Sequence, residues 1–235
     1  HDSRKGYFEA ANKGSIFSQR WLGLLYSIYA ESAGIKANFT KAEYWFQKAI
    51  ENGDVESMTY LAEMYFSPDE NPGVFNTKYD PSKAFDLLIK AKEAGSTSYH
   101  MTLVSLYRFG IGVEKNLQKA LLIIDDKLSN LAEHEKHYWY RTLWWINVEN
   151  NISNDDAISQ SMNYFIKKAK SGDVDASLSL IDMYLEEGFE YFDKKEAMYW
   201  LNEIKDKSVK ANLILSDYSN DYQEYGQSLM KAIEL

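Results

Sequence analysis

Gly95-Ser96-Thr97-Ser98-Tyr99-His100-Met101-Thr102-Leu103-Val104-Ser105-Leu106-Tyr107 leads, after Arg108-Phe109, into Gly110-Ile111-Gly112-Val113 and then to Lys119-Ala120. Leu103, Leu106 and Tyr107 have the i, i+3, i+4 spacing of one buried helical stripe. The same stripe recurs as Leu22-Gly23-Leu24-Leu25-Tyr26, Leu61-Ala62-Glu63-Met64-Tyr65 and Leu180-Ile181-Asp182-Met183-Tyr184. Eight residues before each leading leucine stands a glycine: Gly14, Gly53, Gly95 and Gly172. Four residues after each glycine comes Ser18, Ser57, Tyr99 or Ala176. Two weaker copies, led by Leu143 and Leu215, continue the series, so the leading leucines are spaced by 39, 42, 40, 37 and 35 residues. A period in this range signals a repeat architecture.

Each leading leucine marks a helix A, and a helix B follows it. The clearest B helix is Lys41-Ala42-Glu43-Tyr44-Trp45-Phe46-Gln47-Lys48-Ala49-Ile50, closed by Gly53. Lys83-Ala84 through Ala91, Tyr164-Phe165 through Ala169, and Glu196-Ala197 through Trp200 read in the same way. The alanines permit close helix approach, and the aromatics fill the space beside it. A glycine just past the helix suits a left-handed C′ position. Asp80-Pro81 reads as an N-cap followed by a proline at N1. All three prolines lie between Pro68 and Pro81, which leaves long proline-free stretches on both sides.

A helix pair of this size cannot cover its own apolar faces, but stacked pairs can. The expected fold is therefore all-α, an α/α superhelical solenoid in one domain over residues 1–235. The repeats fall near 14–52, 53–94, 95–134, 135–171, 172–206 and 207–235, with 1–13 as a partial N-terminal helix.

The pattern resembles the Sel-1-like repeat family, longer relatives of the tetratricopeptide repeat. The Gly-x-Gly-Val turn at Gly110-Ile111-Gly112-Val113 is a hallmark of that family. Departures from its pattern occur at Glu135 and Asn147, where glycine and tyrosine are expected, and at Lys207 in the last glycine place. The resemblance implies a scaffold that recruits or sequesters other proteins. Several bacterial members act in the periplasm or at the cell surface, and some resemble immunity proteins that neutralise a secreted toxin. The function expected on that basis is a non-enzymatic inhibitor or immunity protein in an extracytoplasmic, periplasmic compartment. An assembly adaptor and a hydrolase are the alternatives.

Composition narrows the partners. The 235 residues carry 26 basic and 35 acidic side chains, for a net charge of −9. Residues 1–117 hold 13 basic and 14 acidic side chains, and residues 118–235 hold 13 and 21. The acidic second half should repel nucleic acid and anionic membranes. The expected partner is another protein, a toxin or effector with a basic surface, although such an imbalance also serves plain solubility. No apolar run is long enough for membrane insertion. The absence of cysteine excludes disulfides and cysteine chemistry. The opening His1-Asp2-Ser3-Arg4-Lys5 does not read as a signal peptide, and a processed terminus would look the same, so compartment stays open.

No catalytic constellation is legible: there is no phosphate loop, nucleophile elbow or zincin helix. His134 and His137 offer two ligands at i, i+3, but no further pair has matching spacing, and a solvated helix start explains them. No metal or cofactor is expected. Binding features are stronger. The insertion Ser67–Asp80 carries Val74 and Phe75, either a functional loop tip or a tolerated insertion. Positions six and ten after each glycine place Arg20, Leu24, Thr59, Glu63, Met101, Ser105, Arg141, Trp145, Leu178 and Asp182 along one side of the A helices. Of these, Glu63, Arg141, Trp145 and Asp182 are the expected partner contacts. Trp144 occupies a place held elsewhere by Gly23, Ala62, Val104 or Ile181, so it needs an opened space. Trp145, about 100° round the helix, cannot share that pocket and should be partly exposed. It is then either an interface anchor or covered by a neighbouring segment.

Replacing Leu103 with alanine is expected to cost about 2–5 kcal/mol. Urea unfolding measures this, and a loss below about 1 kcal/mol would remove Leu103 from the core.

Overall fold

The computed structural model describes residues 3–66, 79–150, 152, 155–186 and 192–215. Among them are eleven complete α-helices, a further helical stretch at 209–215, one 3-10 turn and no strand. The chain divides into two compact units, His1–Ile123 and Ile124–Leu235.

In the N-terminal unit α1 (Ser3–Asn12), α2 (Ile16–Tyr26), α3 (Phe39–Glu51), α4 (Glu56–Phe66), α5 (Pro81–Glu93) and α6 (His100–Phe109) follow in order, and each packs on the next. α7 (Leu117–Asn130) contains the division between the units. In the C-terminal unit a 3-10 turn at Glu133–Glu135 precedes α8 (His137–Glu149), α9 (Asp155–Lys170), α10 (Val174–Leu185) and α11 (Lys194–Ile204). There α8 packs on α9, α9 on α10 and α10 on α11. Helices packed on their sequence neighbours are the arrangement of an α/α solenoid, as the period requires.

The leading leucines form the core. Leu22, Leu61, Leu103, Leu143 and Leu180 are buried, and Leu215 is half-buried. The four repeat glycines, Gly14, Gly53, Gly95 and Gly172, all adopt φ between 84° and 93°. Only glycine holds that conformation without strain, which ends each B helix and turns the chain into the next A helix. The Gly-x-Gly-Val turn has a further reason: a Cβ on Gly112 would lie 2.3 Å from the Pro81 carbonyl group. The turn after α6 thus presses against the first residue of α5. Gly23 is constrained in the same way, because a Cβ there would fall 2.5 Å from the Phe46 ring.

One hydrogen bond repeats throughout the fold. The carbonyl of the repeat tyrosine accepts the N–H of the residue that caps the following B helix. The pairs are Tyr26 with Asn38 at 2.9 Å, Tyr65 with Asp80 at 3.0 Å, Tyr107 with Asn116 at 2.8 Å and Tyr184 with Asp193 at 2.9 Å. Each capping side chain then accepts from the first turn of its own helix: Asn38 from Lys41, Asp80 from Lys83, Asn116 from Lys119, and Asp193 from Lys195 and Glu196. In the divergent repeat the Asn147 carbonyl takes the Ile152 N–H at 2.9 Å. The sequence signal is an Asn or Asp three residues before Lys-Ala or Glu-Ala, at Asn38, Asp80, Asn116 and Asp193. Only Asp80 is legible as a cap without the structure, because proline follows it.

In the N-terminal unit the lysine of each such motif also covers the repeat tyrosine. Lys41 lies 5.0 Å from the Tyr26 ring, Lys83 4.2 Å from Tyr65 and Lys119 5.2 Å from Tyr107. Tyr65 donates its hydroxyl proton to the buried Glu43 carboxylate, which Lys83 approaches at 3.6 Å. Burial and the Glu43 hydrogen bond push the Tyr65 phenol far above its ordinary range.

Asn116→Ala removes the side-chain cap while leaving the backbone bond to Tyr107. It is expected to cost about 1 kcal/mol, measured as a shift in the urea midpoint, with Asn116→Asp close to wild type.

Candidate functional site

The A-helix positions picked out from the repeat phase differ in exposure. Thr59 is buried, while Arg20, Leu24, Glu63, Met101, Ser105, Trp145, Leu178 and Asp182 are half-buried and Arg141 is exposed. Val74 and Phe75 lie outside the described residues.

Many of these side chains reach about one repeat forward. In the N-terminal unit Arg20 pairs with Asp54 at 2.9 Å, Thr59 meets Ser96 at 3.4 Å, and Glu63 accepts from Thr102 at 3.4 Å. Burial pushes the Glu63 carboxyl above its ordinary range, with the Thr102 hydrogen bond opposing. Burial would raise Glu56 as well. Hydrogen bonds from Ser98, the Thr97 N–H and Ser96 outweigh it and hold the carboxyl below its ordinary range. In the C-terminal unit Arg141 and Lys210 flank Asp182, at 3.4 and 3.2 Å. The face expected to meet a partner therefore also ties successive repeats together. Sequence phase places a residue on a face but does not reveal that another repeat already uses it.

The structure brings Arg141 and Asp182 together, with Trp145 one turn along α8 from Arg141. Glu63 belongs to the other compact unit. Trp144 is fully buried and Trp145 half-buried, their rings edge-on at 4.9 Å. Trp144 Nε1 is buried with no hydrogen-bond partner. The neighbouring Asn147 is also buried, and its amide nitrogen donates to the Leu143 carbonyl at 2.8 Å. The divergence at Trp144 and Asn147 is thus absorbed inside the repeat, and Trp145 is the tryptophan left at the surface.

Beside Arg141 is a cleft of about 450 Å³. His134 lines it from the 3-10 turn, His137 from the start of α8, Tyr164 and Lys168 from α9, and Asp173, Asp175 and Ser179 from the N-cap and body of α10; Lys210 completes it. Asp173 is placed by its role as N-cap, accepting from the Ala176 N–H at 3.0 Å. Tyr164 is placed by donating to the Glu133 carbonyl at 3.1 Å. Sequence reading found Arg141 here but missed Lys168 and Lys210, which lie on other helical segments with no spacing to link them. Arg141, Lys168 and Lys210 line the cleft together with Asp173 and Asp175, and Asp182 beside it pairs with Arg141 and Lys210. The acidic excess of this half of the sequence is therefore not at the cleft, and includes exposed carboxylates such as Asp125, Asp126 and Glu203.

His137 Nε2 lies 3.2 Å from Ser179 Oγ. Ser179 is buried, and its hydroxyl donates to the Asp175 carbonyl at 3.0 Å. With its proton directed to the helix backbone, Ser179 acts as a strut between α10 and α8 and not as an activated nucleophile. Burial holds His137 below its ordinary value of 6.5; Asp173 and Asp175 oppose this, and Arg141 and Lys168 add to it. Among the described residues no three His, Cys, Asp or Glu side chains converge in a metal-binding group, and no helix is long and apolar enough to cross a membrane.

Stacked helix pairs with a polar cleft define an α/α repeat scaffold. Sequence matches to the Sel1 repeat fall at residues 16–54, 55–96 and 103–122, so that part of the chain carries Sel1 repeats. It is 26% identical over 207 residues to the Sel1-repeat-containing protein YjcO of Escherichia coli K12, covering 86% of this chain and 84% of that protein. Two solved structures share the fold. A putative Sel1 repeat protein from Klebsiella pneumoniae is 23% identical, with TM-score 0.56 over 92% of this chain and 99% of its own. The c5321 protein, a protective antigen of uropathogenic E. coli, is 20% identical, with TM-score 0.58 over 89% of this chain. This chain spans 42% of the length of c5321. Sel1 repeat proteins are generally protein–protein interaction scaffolds without enzymatic activity.

Two measurements check the site. Trp144→Ala is expected to lose about 3–5 kcal/mol of stability, and Trp145→Ala much less. His137 has a lower pKa folded than unfolded, so stability tied to its neutral form is complete above about pH 6.5 and is lost as pH falls below it. His137→Gln should flatten that part of the stability–pH curve.

Proposed function

We infer that this chain is a non-enzymatic scaffold that sequesters a bacterial effector protein, as an inhibitor or immunity protein in the periplasm or otherwise outside the cytoplasm. The observation that supports binding is the C-terminal cleft, lined by the exposed Arg141, with the half-exposed Trp145 one turn further along the same helix. An arginine and an aromatic on one exposed helix face match the composition of interface anchors. Arg141, Lys168 and Lys210 beside Asp173 and Asp175 favour a partner segment of mixed charge, read by position more than by net charge. Inhibition of this kind is steric: the solenoid covers the effector's working surface. The immunity role and the compartment rest on family analogy.

The test exchanges the Arg141–Asp182 pair. Arg141→Glu with Asp182→Arg keeps an ion pair within the protein and inverts the charges shown to a partner. An exposed pair of this kind is worth about 0–1 kcal/mol, so the melting temperature should barely move. Affinity purification from the periplasmic fraction of the source strain, analysed by mass spectrometry, should recover one dominant protein with the wild type and not with the exchanged variant. That protein's activity should fall stoichiometrically on adding the wild type. Several partners with undiminished activity would make the chain an adaptor, and equal recovery by both forms would move the site elsewhere.

A further inference from the structure

The N-terminal unit holds a second cleft, of about 610 Å³, that the cleft in the other unit does not explain. Its floor is apolar: Phe8 from α1, Leu25 and Tyr26 from the end of α2, and Ile35 from the segment before α3. These residues sit on the core formed by Ala11, Leu22, Leu25 and Trp45. Phe8 meets Tyr26 edge-on at 6.3 Å and Trp45 at 5.9 Å, which fixes the floor. The rim is basic. Arg4 and Lys5 stand on one side, and Lys36 and Lys41 on the other. All four are exposed, and among the described residues no carboxylate lines the cleft. Among the described residues no carboxylate pairs with Lys5, Lys36 or Lys41. This concentration of positive charge is local, because residues 1–117 carry 13 basic and 14 acidic side chains.

The rim is held open by the fold. Asn38 caps α3 and its N–H binds the Tyr26 carbonyl, which fixes the chain between Lys36 and Lys41 against α2. The Ile35 N–H binds the Ala30 carbonyl at 2.9 Å, setting Ile35 at the edge of the floor. Like charges collected around a low-dielectric floor focus a positive potential into the cleft. An occupant must supply negative charge for the rim and an apolar or aromatic group for the floor.

We propose that this cleft is a peptide-docking site for a short acidic segment of a partner protein carrying one or two apolar side chains, the carboxylates on the Lys5, Lys36 and Lys41 rim and the apolar group against Phe8, Tyr26 and Ile35. The site is independent of the Arg141 cleft and takes the opposite charge from the basic surface expected of a partner from net charge alone. Lysines give it point charges more than fixed geometry, so it selects for charge and an apolar anchor and not for one exact sequence.

The probe is a fluorescein-labelled hexapeptide, acetyl-Asp-Glu-Phe-Asp-Leu-Glu, followed by fluorescence anisotropy on the full chain. Saturable binding is expected to weaken as salt rises, to fall at least about tenfold in the Lys36→Glu/Lys41→Glu variant, and to disappear when Phe and Leu of the peptide become Ser. Both lysines are exposed, and circular dichroism of the variant should match wild type. Arg141→Glu should leave binding unchanged, which separates this site from the proposed function. No saturation below about 1 mM, equal affinity for the lysine variant, or equal binding of an all-lysine analogue would overturn the proposal. So would binding to phosphatidylglycerol vesicles, lost in the same variant, with no binding of the peptide; that result would assign the rim to a membrane surface.

Discussion

The hydrogen bond from the N-cap of each B helix to the tyrosine carbonyl of the preceding A helix sets the geometry on which the rest depends. An A helix ends with unpaired carbonyls and a B helix begins with unpaired N–H groups. Joining one of each fixes where the second helix starts, whatever the chain does between them. The connection from Tyr26 to Asn38 is longer than that from Tyr107 to Asn116, yet both close on a bond of 2.8–2.9 Å. Loop length is therefore free to vary, and Asp80 makes the same bond to Tyr65 across a longer stretch of sequence. The cost of a longer loop grows only with the logarithm of its length.

With the hairpins fixed, the stripe of leucines and the alanines of the B helices determine the packing distance. Gly23 against Phe46 shows the limit of that distance, since even one methyl group has no room. Trp144 occupies the corresponding place in its repeat and is fully buried. Its indole N–H has no partner, a desolvation cost of about 1–3 kcal/mol that large-area burial of the ring offsets. A divergent repeat thus buries a tryptophan completely at a place held elsewhere by Gly23, Ala62, Val104 or Ile181.

Charge is organised more finely than composition indicates. The second half of the sequence is strongly acidic, yet its cleft is lined by Arg141, Lys168 and Lys210 beside Asp173 and Asp175. The first half is nearly neutral, yet its cleft is rimmed by cations. Net charge governs solubility and long-range steering, whereas recognition depends on which few charges share a concave surface. The polar residues of the A face have a second task, because Arg20, Glu63 and Arg141 each reach toward the next repeat. A partner engaging this face would meet side chains already held in place, which lowers the entropy lost on binding.

The sequence by itself determined the all-α class, the repeat phase, the buried leucines and the left-handed glycines. These follow from local spacing: Leu22, Leu25 and Tyr26 must share a face, and Gly14, Gly53, Gly95 and Gly172 must end helices. It also separated Trp144 from Trp145, since adjacent helical positions diverge. Only the tertiary structure decided which polar residues come together. Lys168 and Lys210 share a cleft with Arg141, and Lys5 shares one with Lys36 and Lys41, from separate segments of the chain. The caps at Asn38, Asn116 and Asp193 became legible only when their N–H groups were seen to meet a tyrosine carbonyl. Periodicity specifies the face of a single helix, but a cleft belongs to several helices at once, and its charge is set by the packing between them.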